Sequence, residues 1–224
     1  TLFRSDRVVD LGAAPGGWLQ VAAEKVGETG TVVGVDFQRI RDLDHDNIET
    51  IKGDMTEERT KDRLTEVIGE EGADLVISDM APNMTGEYDL DHARSVHLAR
   101  QAFAVAKEIL ATDGDFVAKV FQGQDLEALR EEIEESFQYV RTMNPEASRD
   151  SSSEVYLVGK HRLTAPVGVG DTREVEIVDI GEEGDGVAEI DGFTVFVSGA
   201  TTGETVEVRI TDVKPNFGFA ERVD

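Results

Sequence analysis

The chain has 224 residues, 39% of them apolar, enough for one sizeable core and a second small one, which excludes a disordered chain. Cysteine is absent, which excludes disulfides and thiolate metal sites, and no apolar run reaches the roughly 18 residues of a membrane span. The net charge of −25, from 22 basic and 47 acidic residues, excludes a basic footprint for nucleic acid, yet it is spread as −15 over residues 1–166 and −10 over 167–224, like the solvated surface of a protein working in molar salt.

Taken in chain order, residues 8–11 (VVDL) read as a buried strand that leaves through the turn GAAPGG, residues 12–17, into a helix over 18–26. A glycine turn between strand and helix aims backbone N–H groups and a helix N-terminus at a ligand. A phosphate loop would end in Gly-Lys-Ser/Thr, whereas Gly17 is followed by Trp18, the chain's one tryptophan. A dinucleotide fingerprint wants a second glycine where Ala14 stands. A cofactor without a phosphate remains, beside a plain tight turn with no ligand. The apolar run 31–35 ends at Asp36, where an acid characteristically accepts from ribose hydroxyls, and GDM places Asp54 in the next crevice, able to accept from the exocyclic amine of an adenine. Singly, either aspartate reads equally well as a helix cap or turn residue. With the glycine turn they outline an adenosine site, and Trp18 is either its wall or core.

Helical patterns follow at 57–68, 90–110 and 126–136, alternating with apolar runs at 75–78, 116–120 and 155–158. The alternation predicts a mostly parallel sheet covered on both faces, with ligands beyond the carboxyl ends of its strands. Asp79 follows the strand LVIS, Lys119 interrupts the run 116–121, and Glu154 opens VYLV, so all three fall near one mouth. An unpaired ammonium there would be costly, so Lys119 is a base or a snorkelling, salt-bridged side chain. Glu154 alone reads as a strand-edge acid. The four histidines, His45, His92, His97 and His161, show no metal-ligand spacing, so no metal is expected.

After Pro166 the texture changes to period-two runs at 174–180, 186–190, 193–197, 205–213 and 217–222 between Gly-rich turns, which predicts a five-stranded barrel. Two domains are expected, 1–162 and 167–224, with 161–170 as the linker. Lys214, Phe217, Phe219 and Arg222 cluster as KPNFGFAER, either an RNA-contact edge or barrel packing with a charged rim.

DLGAAPGGW, VISDMAPNMTG, VAKVFQG and PEASRDSSSEVYLVG, in that order between Asp6 and about Lys160, resemble the FtsJ/RrmJ (RlmE) family of S-adenosylmethionine-dependent ribosomal RNA 2′-O-ribose methyltransferases. The C-terminal segment resembles a TRAM domain, a small RNA-binding barrel. The resemblance implies an α/β, Rossmann-like, seven-stranded methyltransferase sheet followed by a small all-β barrel. It implies S-adenosyl-L-methionine as cofactor, held at Asp10, Gly12, Gly16, Gly17, Trp18, Asp36, Asp54 and Asp79. It implies a Lys-Asp-Lys-Glu tetrad, of which Asp79, Lys119 and Glu154 are present, with Lys119 as proton acceptor, Asp79 orienting it and Glu154 positioning the substrate ribose. In the family the first lysine of that tetrad lies on a helix before the opening strand. No lysine precedes Lys25 and the chain starts at Thr1, so an N-terminal segment is expected to be missing and catalysis to be impaired while cofactor binding persists.

The implied substrate is a uridine 2′-hydroxyl of large-subunit (23S) ribosomal RNA, presented by an assembled large ribosomal subunit and contacted by Arg149 and the serines at 151–153. The alternatives are a tRNA ribose 2′-O-methyltransferase, a nucleotide-cofactor oxidoreductase, and a non-catalytic RNA-binding ribosome-assembly factor. The protein is expected to act as a monomer, without membrane or metal, in the cytoplasm of a halophilic archaeon. There a Debye length of about 3 Å screens its repulsion from RNA.

Overall fold

A computed structural model describes residues 6–144, 153–181, 184–214 and 216–223. The chain divides into two compact units, Thr1–Arg162 and Leu163–Asp224.

In the first unit seven strands form one sheet: β1 (Arg7–Leu11), β2 (Thr31–Asp36), β3 (Ile48–Lys52), β4 (Ala73–Ser78), β5 (Leu110–Phe121), β6 (Phe137–Met143) and β7 (Glu154–Arg162). Their order is β3-β2-β1-β4-β5-β7-β6, with β7 antiparallel to both of its neighbours and the pairings of β1 to β5 parallel. The central strands are rich in apolar residues because both faces of the sheet are covered. Val9, Leu11, Val33, Val35, Val76 and Phe116 pack into one cluster with α2 (Glu58–Ile68), α3 (Tyr88–Ile109) and α4 (Leu126–Glu134). Val8, Val32 and Ile77 pack on the opposite face against α1 (Gly17–Val26).

Each helix turns a stripe of helical period to the sheet: Leu19, Ala22, Ala23 and Val26 on α1, Thr60, Leu64 and Ile68 on α2, Leu129 and Ile133 on α4. Three rings, Phe103, Phe116 and Phe137, lie 5.6 to 6.4 Å apart and join α3 to β5 and β6. From β1 the chain winds outward to β2 and β3, then crosses back to β4 on the other side of β1. Strand order therefore reverses between β1 and β4, where such sheets hold ligands.

Two strands, β3 and β6, carry no apolar run in the sequence. They are the two edges of the sheet, and their partly exposed patterns (IETIK, FQYVRTM) mix polar and charged residues with few buried ones. The presumed linker 161–170 is also shorter than expected. β7 runs through His161 to Arg162, whose guanidinium donates to the carbonyls of Leu110 and Lys107 and ties the strand to the end of α3.

The second unit is a six-stranded sheet of β8 (Thr172–Glu176), β9 (Asp179–Ile180), β10 (Gly186–Ile190), β11 (Phe193–Ser198), β12 (Thr205–Val213) and β13 (Phe217–Arg222), in the order β8-β12-β13-β11-β10-β9. The expected five runs are all present, and the sixth strand arises because the first run bends. β8 pairs with β12 and β9 with β10. At the bend Ile177 N–H donates to Glu204 O and Val178 N–H to Val187 O, both at 2.8 Å. One bent strand thus joins both ends of the sheet and closes the barrel around Val175, Ile177, Ala188, Val195, Val197, Val208 and Ile210.

Candidate active site

The turn after β1 is held by backbone first. Gly12 and Ala13 N–H donate to Val35 O at 2.9 and 3.1 Å, which binds the turn to the end of β2. Gly12 has φ 82°, and a Cβ there would stand 2.1 Å from Met80 Cγ, so a side chain fits neither the conformation nor the space. Gly16, at φ 110°, is the N-cap of α1. A Cβ on Gly17 would meet nothing within 4 Å, so packing within the chain does not explain that glycine.

Asp36 accepts from Ala14 N–H at 2.9 Å and Gln38 N–H at 2.7 Å, and Asp54 Oδ1 accepts from Thr56 N–H at 2.8 Å and Thr56 Oγ at 2.7 Å. Both aspartates are turn residues, and both also border a cleft of about 770 Å³. The same cleft is bordered by Gly12, Asp79 and Met80 and, from α3, by Arg94 and His97. It opens at the reversal of strand order.

Asp79 joins this cleft to a second cluster. Lys119 Nζ lies 3.1 Å from Asp79 Oδ1 and 3.8 Å from Glu154 Oε1, with only 10% of the lysine side chain exposed. The strand pairing makes this possible, because Lys119 stands opposite Tyr156 and Phe121 opposite Glu154. The hydroxyl of Tyr156 donates to the same Asp79 Oδ1 at 2.7 Å. Burial and that bond push the phenol further above its ordinary range, so it stays a donor. Trp18 is 44% exposed, with its ring centroid 6.3 Å from that of Tyr156, which removes the reading of Trp18 as core.

Asp10 stands behind these groups on β1, level with Gly34 of β2 and Ile77 of β4. It is 1% exposed, and among the described residues its Oδ2 has no hydrogen-bond partner. Burial, then the charges of Asp79 and Asp36, raise its pKa to about 7.

The head of α3 supports both loops that flank the site. Asp91 accepts from Thr85 N–H and Oγ and from Gly86 N–H at 2.9 to 3.1 Å, bonds that hold its carboxyl below the usual range. Ser95 Oγ accepts from Phe121 N–H at 2.7 Å, and buried His92 bonds Phe121 O through Nδ1 at 3.0 Å and receives Asp125 N–H at Nε2 at 3.1 Å. His161 faces Asp113 at 2.8 Å.

Of the expected residues, the structure gathers Lys119, Asp79 and Glu154, and it places Gly12, Asp36, Asp54 and Asp79 around one cleft. Gly16, Gly17 and Trp18 sit at the start of α1. Arg149, Ser151 and Ser152 lie outside the described residues, whereas Ser153 O accepts from Gln122 N–H at 2.7 Å. Tyr156 and Asp91 are not among the expected residues, and His92, expected to carry no metal, is buried and structural. Only Tyr156 carried a signal, as the one polar-tipped residue in VYLV two places after Glu154.

Residues 1–162 match the family model described as FtsJ-like methyltransferase, and residues 166–223 match the TRAM domain. The chain belongs to the FtsJ-like methyltransferase family. A relative named ribosomal RNA large subunit methyltransferase E, from Halorubrum lacusprofundi, is 69% identical over 99% of this chain and 82% of its own length. Another of that name, from Haloarcula marismortui, is 64% identical over 97% of this chain and 85% of its own length. Among solved structures, a ribosomal RNA methyltransferase of Plasmodium falciparum is 23% identical with TM-score 0.62, covering 71% of this chain and 87% of that one, and it shows the shared fold. The seven-stranded sheet of the first unit thus agrees with the family match, and the acidic surface fits relatives from halophilic archaea.

Proposed function

We propose that this chain transfers the methyl group of S-adenosyl-L-methionine to the ribose 2′-hydroxyl of a uridine in large-subunit ribosomal RNA, in the cytoplasm. The observation that carries this reading is Asp79, which borders the cleft and at the same time faces Lys119. Residues 1–162 would be the catalytic domain and 167–224 the RNA-binding barrel.

The cleft suits the cofactor on three counts. Gly12 leaves backbone where a side chain would intrude. Asp36 and Asp54 keep acceptor capacity for hydroxyls and an amine. Asp10 buries an unpartnered carboxyl oxygen that suits a cation. We assign Asp10, Gly12, Gly16, Gly17, Trp18, Asp36, Asp54 and Asp79 to it. Bound there, the cofactor would supply a methyl group on a sulfonium, a leaving group that needs no acid assistance.

The remaining work falls to the chain. Lys119 is the group placed to take the proton of the attacking hydroxyl. Asp79 fixes the position of Lys119 Nζ, Tyr156 fixes Asp79, and Glu154 helps to place the ribose. The names of the relatives and the TRAM domain support ribosomal RNA as substrate. In the barrel, Phe196, Phe217 and Phe219 form a trio of rings 5.6 to 5.9 Å apart next to Lys214, whose N–H donates to Phe217 O, a surface on which bases can stack.

The test uses labelled cofactor and undermethylated large subunits in molar salt, followed by mapping of the modified ribose. Lys119→Ala in the full-length protein is expected to keep cofactor affinity within a few-fold and to lose methyl transfer. Near-normal turnover in that variant, or a methyl group mapped to a base, would overturn the assignment.

A further inference from the structure

Asp10 is the one buried carboxyl in the first unit whose surroundings, among the described residues, do not account for it. Asp91, the other carboxyl of comparable burial, takes three donors, from Thr85 and Gly86. Asp10 Oδ2 takes none. The elements around it supply no compensating charge. β2 ends in Asp36 and β4 leads to Asp79, both of which act on Asp10 as like charges. The face of α1 turned to the sheet is Leu19, Ala22, Ala23 and Val26. Lys119 of β5 is engaged with Asp79 and Glu154, and Tyr156 of β7 donates to Asp79.

A carboxylate in such a place is costly unless a cation arrives, and a neutral carboxylic acid is the alternative. Resting on the cofactor reading above, we propose that Asp10 is the buried counter-charge for the cation of S-adenosylmethionine, holding a proton while the cleft lacks cofactor and releasing it to solvent as the cation seats. Cofactor binding is then coupled to one proton, and the coupling lives in a residue that does not touch the ribose. The raised titration of Asp10, near neutrality, has the direction this requires.

The linkage has a definite size. A carboxyl titrating near 7 in the free protein and well below 5 in the complex releases about half a proton per cofactor at pH 7, and affinity is about tenfold weaker at pH 6 than at pH 8. Calorimetry of the full chain with S-adenosylmethionine, in two buffers of different ionisation enthalpy, reads the proton count directly and needs no turnover. Asp10→Asn is expected to bind with no proton release and a flat affinity between pH 6 and 8. Binding by the unmutated protein without proton release, or the same release from Asp10→Asn, would overturn the proposal while leaving the cofactor reading intact. Failure of the unmutated protein to bind at all would remove that reading and the proposal with it. Should Asp10→Asn not fold, carbon-13 NMR titration of the Asp10 carboxyl in the unmutated protein decides. A midpoint near 7 that drops below about 5 on adding cofactor supports the proposal, and an unmoved midpoint refutes it.

Discussion

Asp79 Oδ1 accepts the hydroxyl of Tyr156 and faces Lys119, so one oxygen aims the lysine, and the tyrosine tests how firmly. Tyr156→Phe is expected to lower kcat about tenfold with KM nearly unchanged, because the ring stays and only the aim loosens. Steady-state methyl transfer separates this from a packing defect, which would lower the melting temperature as well. Asp10 gives a second prediction at this scale. Its pKa is raised in the folded protein, so the folded state binds the extra proton, and stability present near pH 4 is lost as pH rises through about 7. Asp10→Asn removes that loss and should make the cofactor-free protein more stable at pH 8 by roughly 2–4 kcal/mol. Thermal melts from pH 5 to 8 check it, and a variant no more stable than the parent at pH 8 would contradict it. The sequence displayed Asp79, Lys119 and Glu154, because each is a charge inside or bordering an apolar run. It did not display Tyr156 or Asp91, whose partners lie 77 and 6 residues away and are chosen by strand register and loop path.

At the level of elements, the interior of the sheet could be read and its margins could not. β1 and β2 are buried on both faces, and β4, β5 and β7 each carry a buried apolar run, so all five are written largely in apolar residues. β3 and β6 have one neighbour each, and their polar positions hide the strand period. The helices were legible because their stripes repeat every three to four residues, and their ends fall within two residues of the expected ones. α3 does more than cover the sheet, since His92 and Ser95 hold the chain where it leaves β5. His92→Ala would leave Phe121 O and Asp125 N–H without their partner, at a cost of about 1–3 kcal/mol. Faster hydrogen exchange confined to residues 121–125, together with a lower melting temperature, is the expected result.

For the whole molecule the dominant quantity is charge. A protein at −25 that meets RNA has few phosphates to neutralise with its own cations, and Lys214 and Arg222 already pair with Asp212 and Glu204. Added salt then weakens attraction little and screens repulsion, so the affinity for ribosomal RNA should change with a shallow or positive slope on log salt, opposite to the steep fall usual for basic RNA binders. Filter binding from 0.2 to 2 M KCl checks this. Removing residues 163–224 should weaken RNA binding while cofactor affinity holds, since the cleft is built within the first unit. Equal RNA affinity would take the barrel out of substrate recognition. Composition announced this behaviour openly, whereas the bend that turns five runs into six strands was invisible, because it rests on two backbone bonds at Ile177 and Val178.

That bend also governs the margins of the small barrel. With its opening strand spliced to neighbours at both extremities, the small barrel keeps both ends of its sheet engaged among the described residues, and a surface of carboxylates loses its mutual repulsion in brine. Closure guards the barrel against fibrous growth where charge no longer can, whereas the larger sheet keeps open margins at β3 and β6.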